Sequence, residues 1–484
     1  MGALLWVLLV VPLVSSLVAA VAPSRLGRPT VAASGLVSFG ASLALIGHPR
    51  ASVLGGWVSV DPLAVVFLVA VAFLYLATLV FALGYAPRGS HAHGDERYQR
   101  RLFAGLGLFC WAMLAAPMMS SLALLWVAIE ITTVVSALLV AIDDTDGSAE
   151  AAWKYVLIAS LGLGIALVAT LIAYESGVGA LGHSFDFFYR QLDALGGRLP
   201  KELVRLAYVL AVVGFGTKVG FFPVHTWLPD AHSEAPTPVS ALLSGALLAV
   251  SFYAVLRYFQ LAEQSVGTGF ARDVLLAFGL ASLGLAAIVL GVQRDIKRLF
   301  AYSSIEQMGI IAVGASFGAK IAVVGMLLQV LAHAAAKGTA FFGAGSVVRK
   351  LGTKDLGRMQ GLIGLLPWSG PMLMLSVLAL SAMPPFGIFR SEFMIVLGGL
   401  DNGSDAAVAV LVALVTVAYF GMSWYAAQAM FSPTMGALER GETSWWIVGA
   451  MGLGLVALGV LGVHPPGGLL HLLDAAASEL GVRR

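Results

Sequence analysis

A handful of ionisable side chains stand where an apolar chain should carry none. Glu130 lies midway along SSLALLWVAIEITTVVSALLVAI, with no other charge between Arg101 and Asp143. Lys218 lies midway between Arg205 and Asp230. Lys337 sits deep in the run bounded by Lys320 and Arg349, and His333 precedes it by one helical turn on the same face. Glu306 follows Arg298 by about two turns, and Glu392 follows Arg390 near the end of another apolar run. Each such group costs at least about 2.5–3.5 kcal/mol in hydrocarbon, which makes it a functional candidate with a partner to be named. The structural alternative is a buried pair that glues helices together for roughly a kcal/mol. Acids and bases that alternate along the chain favour a proton relay, because burial disfavours the charged form of each and a nearby opposite charge restores it. A lysine whose acidic partner moves away can then release its proton.

His225, Asp230, His232 and Glu234 crowd into HTWLPDAHSE. A metal site is disfavoured there, because Pro229 and Pro236 break the helix and the ligands do not share a face; proton uptake or helix capping fits better. His91 and His93, beside Asp95 and Arg97, read as a solvated loop, and the glycine spacings around Gly162 and Gly164 read as helix packing rather than a nucleotide fingerprint. The single cysteine, Cys110, excludes an internal disulfide and a Cys-ligated iron–sulfur cluster or zinc knuckle. No metal or cofactor is expected, and redox chemistry belongs to partners.

These groups must be positioned by membrane helices. Of 484 residues 59% are hydrophobic and 11% charged, against roughly 25% charged in a soluble domain, and the mean hydropathy is +0.91. A net charge of +2 is too small to suggest nucleic-acid binding. The opening MGALLWVLLVVPLVSSLVAA has no Lys or Arg before its apolar run, so it reads as a first membrane helix rather than a signal peptide. Apolar runs of spanning length fall near 3–22, 30–47, 58–84, 102–119, 121–142, 151–175, 203–228, 238–260, 274–292, 299–318, 321–348, 370–396, 405–431 and 445–463. The fold class is therefore all-α, a polytopic membrane protein of about fourteen helices, with its longest loop from Ser176 to Glu202.

Two spans are poor continuous helices. Gly214, Gly216, Gly220 and Pro223 interrupt the seventh around Lys218, and Pro384, Pro385 and Gly387 interrupt the twelfth. Unwound backbone at membrane depth survives only where protein or a water-filled cavity satisfies it, and paired interruptions point to inverted repeats. The breaks fall in the fourth members of two five-helix blocks. The organisation expected is 1–101 for helices 1–3, 102–260 for a first repeat (helices 4–8), 261–431 for a second (helices 9–13), and 432–484 for helix 14 and a tail. Fourteen spans put both termini on one side. Fifteen Lys and Arg fall in one set of loops (Arg25 to Arg440) and ten in the other (Arg50 to Arg484), so both termini are expected outside.

The stretches GTKVGFFPVHTWLPDAHSEAPTPVSALLSG, QRDIKRLFAYSSIEQMGI, LAHAAAKGTAFF and MPPFGIFRSEF resemble the antiporter-like membrane subunits shared by respiratory complex I, membrane-bound hydrogenases, formate hydrogenlyases and Mrp sodium/proton antiporters. WVAIEITT and PPFGIFRSEF look closest to the hydrogenase-4 component F type. The resemblance runs from about helix 4 to helix 13 and implies a proton relay of Glu130, Lys218, Lys337 and Glu392, with His333, His232 and Glu306 as secondary members. Many relatives carry a second lysine in the eighth helix, in a pattern like LLKTAxY, where this chain reads LLAVSFY with Ala249; Gln307 stands where relatives often have His. The middle of the relay must then run through His232, Tyr253, Glu306 or water.

The function this implies is a proton-translocating subunit of a redox-driven complex of the hydrogenase or NADH-quinone oxidoreductase type, multi-pass in the bacterial inner membrane. Expected partners are other membrane subunits and peripheral iron–sulfur subunits, with no nucleic acid and no quinone pocket of its own. A Mrp-type Na+/H+ antiporter subunit, a non-pumping scaffold, and a member coupled to inorganic-carbon uptake stay open beside it.

Overall fold

The computed structural model describes residues 2–85, 96–182, 185–433 and 439–481. His91, His93 and Asp95 lie outside the described residues, as do Arg88, Arg483 and Arg484. The chain is almost wholly helical. It runs α1 (Gly2–Val21), α2 (Ser24–Ile46), a hairpin of β1 (Ala51–Val53) and β2 (Val58–Val60), α3 (Pro62–Tyr85), α4 (Glu96–Met118), α5 (Leu122–Val140) and α6 (Asp146–Leu181). There follow α7 (Tyr189–Leu195), α8 (Lys201–Val219), α9 (Trp227–Glu234), α10 (Thr237–Leu242), α11 (Leu248–Ser265), α12 (Thr268–Leu290), α13 (Ile296–Ser316) and α14 (Lys320–Leu351). The last are α15 (Leu362–Leu365), α16 (Ser369–Leu380), α17 (Gly387–Asp401), α18 (Asp405–Phe431), α19 (Trp445–Val463) and α20 (Gly467–Glu479). β1 and β2 pair antiparallel, Ala51 opposite Val60.

Among the described residues, eleven helices are long and apolar enough to cross a membrane. The other three runs read from the sequence fall on α8 with α9, on α13, and on the α16–α17 pair. Local chemistry sets several boundaries. Thr145 and Ser148 form a reciprocal capping box at the start of α6. Asp295 accepts from the backbone N–H groups of Lys297 and Arg298 to start α13. α8 stops where Gly220 turns left-handed (φ +85°). The interval read as the longest loop is partly helical, because α6 continues to Leu181 and α7 lies between it and α8.

A five-residue π-helix, Leu243–Leu247, joins α10 and α11 into one span whose apolar stretch is wholly buried. With α14 and α3 it forms the centre of the molecule, while most residues of α1 and α18 lie outside the packed core.

Side-chain ion pairs gather at the two ends of the bundle. At one end Arg50 meets Glu479, Arg257 meets Asp61, Arg272 meets Glu263 and Lys320 meets Asp474. At the other, Asp230 bridges Lys154 and Arg298, and Glu234 meets Lys354. Trp153, Trp368, Trp424, Trp445 and Trp446, each more than half exposed, lie toward this second end. Indoles prefer the membrane–water boundary, where one edge is apolar and the other wet.

Candidate functional site

The break after α8 places Lys218, in its last turn, against α5. Lys218 is fully buried, and its Nζ donates to Thr132 Oγ1 (2.9 Å), Thr133 Oγ1 (2.8 Å) and the Ile129 carbonyl (3.4 Å). The ring of Tyr155 lies 5.7 Å away. Lys218 and Glu130 make no ion pair within contact distance, and the lysine is held by hydroxyls instead. Residues 129, 132 and 133 share one face of α5, and position 130 is turned roughly 100° from 129 around the same helix. Glu130 is half-buried, and its Oε2 has no hydrogen-bond partner among the described residues. Thr132 and Thr133 were missed at the sequence level; their signal was the string EITT, two hydroxyls within a turn of the buried acid.

Beyond the break, α9 restarts at Trp227, whose Nε1 donates to the Thr217 carbonyl (2.7 Å) and whose ring packs 4.5 Å from Tyr155. Trp227 is followed by His232, centroids 6.1 Å apart, and His232 by Phe341 at 5.8 Å. His232 is fully buried with Nδ1 2.7 Å from the Leu228 carbonyl. A carbonyl only accepts, so Nδ1 donates and Nε2 is left without a partner. Phe341 packs against Phe300 at 5.9 Å, and the Phe300 carbonyl accepts from Lys337 Nζ at 3.1 Å. Lys218 and Lys337 are thus joined by a continuous buried wall.

Lys337 also donates to Ser303 Oγ. On α14 it completes a ladder of Gln329, His333 and Lys337 at four-residue spacing, all fully buried. His333 Nε2 donates to the Ser244 carbonyl (3.1 Å) inside the π-helix, and its Nδ1 is unpartnered. Glu306, 2% exposed, faces the same region with Oε2 unpartnered. Glu392, on α17, accepts from Gln329 Nε2 (3.2 Å) and Gln307 Nε2 (3.5 Å); Ser391 Oγ donates to Gln329 Oε1. Gln329 and Ser391 were also missed, because neutral polar residues inside spans give no signal of their own; Gln307 had stood out only as a departure from the histidine of relatives.

Tyr253, one of the expected carriers across the Ala249 position, is committed elsewhere. It donates to the Pro117 carbonyl (3.1 Å) and accepts from Arg257 Nε (3.0 Å) and Nη2 (2.7 Å), within α11. Ala249 itself is 1% exposed. The four polar residues of HTWLPDAHSE disperse: Asp230 binds Lys154 and Arg298, Glu234 binds Lys354, His232 turns inward, and His225 stands 6.4 Å from Tyr302. Gly162 sits directly against Thr217 and Gly214, which is helix packing, whereas a side chain added at Gly164 would meet nothing within 4 Å.

The whole arrangement is a buried series of proton-exchanging groups. Two lysines are held by hydroxyls and carbonyls, two histidines each keep one free ring nitrogen, and three carboxylates make no ion pair within contact distance.

Residues 119–419 match the family model described as NADH:quinone oxidoreductase/Mrp antiporter, TM. A hydrogenase-4 component F homolog of Methylacidiphilum infernorum is 35% identical over 367 residues, 75% of this chain and 76% of that one. NADH-quinone oxidoreductase subunit N of Desulforudis audaxviator is 33% identical over 403 residues, 81% of this chain and 77% of that one. Among solved structures, a chain of an archaeal respiratory complex, the membrane-bound sulfane sulfur reductase, superposes with a TM-score of 0.85 at 22% identity, covering 98% of this chain and 96% of that one.

Proposed function

The chain belongs to the NADH:quinone oxidoreductase/Mrp antiporter transmembrane family, and from that footing we propose that it is the proton-translocating membrane subunit of a redox-driven complex of the hydrogenase or NADH-quinone oxidoreductase type. The observation that carries this reading is the buried series Glu130, Lys218, His232, Lys337, Glu306 and Glu392, in which the lysines are held by neutral acceptors. An ammonium bound only by hydroxyls and carbonyls is poised between two states. It keeps its proton when a carboxylate approaches and yields it when the carboxylate withdraws. Lys218 takes up or releases a proton as Glu130 moves, the free ring nitrogen of His232 together with water carries it toward Lys337, and Glu306 and Glu392 receive the proton on the far side. His333 adjusts the charge beside Lys337.

Moving one charge against 100 mV costs about 2.3 kcal/mol, within reach of a lysine that exchanges a carboxylate for hydroxyls. The redox energy arises in peripheral subunits carrying iron–sulfur clusters, and other membrane subunits pass it to this chain. Fourteen crossings arranged as two inverted five-helix repeats, with both ends outside the bacterial inner membrane, fit the separation of ion pairs to two ends.

The test is coupled proton uptake into vesicles holding the whole complex. Lys218→Ala abolishes proton movement while the complex still assembles; unaltered movement refutes the mechanism. A second reading, a scaffold that has lost transport, is favoured by Ala249, which leaves the eighth span without a titratable group at its centre. Donor-to-acceptor turnover without proton movement in the wild type would establish it.

A further inference from the structure

The end of the bundle that carries Gly2 and Glu479 holds a polar cavity that the relay does not use. Its volume is about 380 Å³, and Asp61, Tyr189, Asp193, Tyr253, Arg257 and Glu479 line it. Arg257 is its centre. The guanidinium is almost wholly enclosed, pairs with Asp61 at 2.6 Å, donates to Tyr253, and lies 5.0 Å from the ring of Tyr189. The Tyr189 hydroxyl is buried and has no hydrogen-bond partner among the described residues. A buried arginine that already has a carboxylate and a phenol, beside an unpartnered hydroxyl and a second carboxylate, is more polar equipment than an ion pair needs.

The cavity is tied to the centre by a single helical span. In the π-helix, the Ser244 carbonyl receives His333, and its hydroxyl meets Ser304 at 2.6 Å. Ser303, the neighbour of Ser304, holds Lys337. Further along the span, Ala249, Tyr253 and Arg257 follow at four-residue steps on one face, ending at the cavity. The span therefore touches the lysine cluster at one point and the cavity at another.

We propose that this cavity is the mouth through which the protein exchanges protons with the aqueous phase on the side of its chain ends, with Asp193 as the carboxylate that hands the proton to or from bulk water. This rests on the proton-carrying function proposed above. The step is a simple acid–base exchange: the Asp193 carboxylate takes a proton from the cavity side and gives it to a water molecule at the surface, or the reverse. Five elements line the cavity around this carboxylate. They bring Asp61 from the start of α3, Arg257 and Tyr253 from α11, Glu479 from α20, Arg50 from the loop after α2, and Tyr189 and Arg190 from α7 itself. Burial, with Asp61 and Glu479 adding to it, raises the Asp193 carboxyl to about 6 against the pull of Arg257 and Gln264. A group poised there exchanges protons efficiently near neutral pH.

The experiment uses the whole complex in vesicles, with pH varied only in the compartment facing the chain ends. Wild-type proton movement shows a break near pH 6 on that side; Asp193→Asn removes the break and slows movement at least about tenfold, while Asp193→Glu retains both. Access is read separately. Cys110 is buried, so Asp193→Cys gives a new thiol that a membrane-impermeant maleimide labels from the chain-end side and not from the other. Wild-type movement with an unaltered Asp193→Asn rate and profile overturns the mouth alone, as does an unlabelled Asp193→Cys. A wild type that moves no protons overturns the relay and the mouth with it.

Discussion

Thr132 and Thr133 offer the sharpest test of how the buried lysine is held. Each hydroxyl accepts from Lys218 Nζ, at 2.9 and 2.8 Å, and the third acceptor is the more distant Ile129 carbonyl at 3.4 Å. A hydrogen bond to a charged group is worth about 1.5–3 kcal/mol. Replacing one threonine by valine keeps the shape and removes the acceptor, so each of Thr132→Val and Thr133→Val weakens the hold on the ammonium by that amount. If the lysine must hold a proton at this place for one step of the cycle, each variant slows coupled proton movement about 10- to 150-fold. The double variant leaves only the Ile129 carbonyl and is slowed further, without simple additivity, because the three groups share one donor. The assay is a pH-sensitive dye trapped in proteoliposomes of the whole complex, with donor oxidation measured in parallel. Proton movement within twofold of wild type in the double variant would refute the argument that these hydroxyls stand in for the carboxylate.

Glu392→Gln keeps the acceptor for Gln329 and Gln307 but cannot ionise; it should abolish proton movement and leave the yield of assembled complex unchanged, both measured on the same membranes. Gly214→Ala would bring a methyl group within 2.5 Å of the Ala166 backbone nitrogen. Forcing α6 from α8 in this way costs about 1–3 kcal/mol and lowers the thermal unfolding midpoint in detergent. Gly164→Ala meets nothing within 4 Å and should leave the midpoint where it was. Asp230→Asn loses pairs with Lys154 and Arg298, both partly exposed. Such pairs are worth about 0.2–1 kcal/mol each, and the loss in midpoint should vanish near 1 M salt, where the screening length falls to about 3 Å.

Charge inside hydrocarbon is visible in one-letter code, which is why Glu130, Lys218, Lys337 and Glu392 could be picked out before any geometry. The breaks were visible for a similar reason, since glycine and proline punctuate an apolar run wherever a helix stops. What decides the partner of each charge is rotation about a helix axis and approach between helices, and neither is written locally. Lys218 meets hydroxyls on α5 instead of the acid beside them because positions 129, 132 and 133 face it and position 130 does not. Arg257 and Asp61, 196 residues apart, pair only because α3 and α11 meet at the same end of the bundle. The polar setting of Glu392 draws on α13, α14 and α17, and each contributes a residue that alone looks like an ordinary neutral side chain.

Six of the ten tryptophans fall into two optically distinct groups. Five indoles, at positions 153, 368, 424, 445 and 446, are more than half exposed toward one end; where lipid covers them, their emission reports the depth at which the bundle sits and is open to quenching by brominated acyl chains of that leaflet. Trp227 is shielded from lipid and solvent, with its Nε1 tied to the carbonyl beside Lys218. Loss of that hydrogen bond would change the emission of Trp227 and leave the exposed five untouched, so against the steady background of the partly buried Trp111 and Trp126 the light that brominated lipid cannot quench carries a native signal of movement at the break in the seventh span.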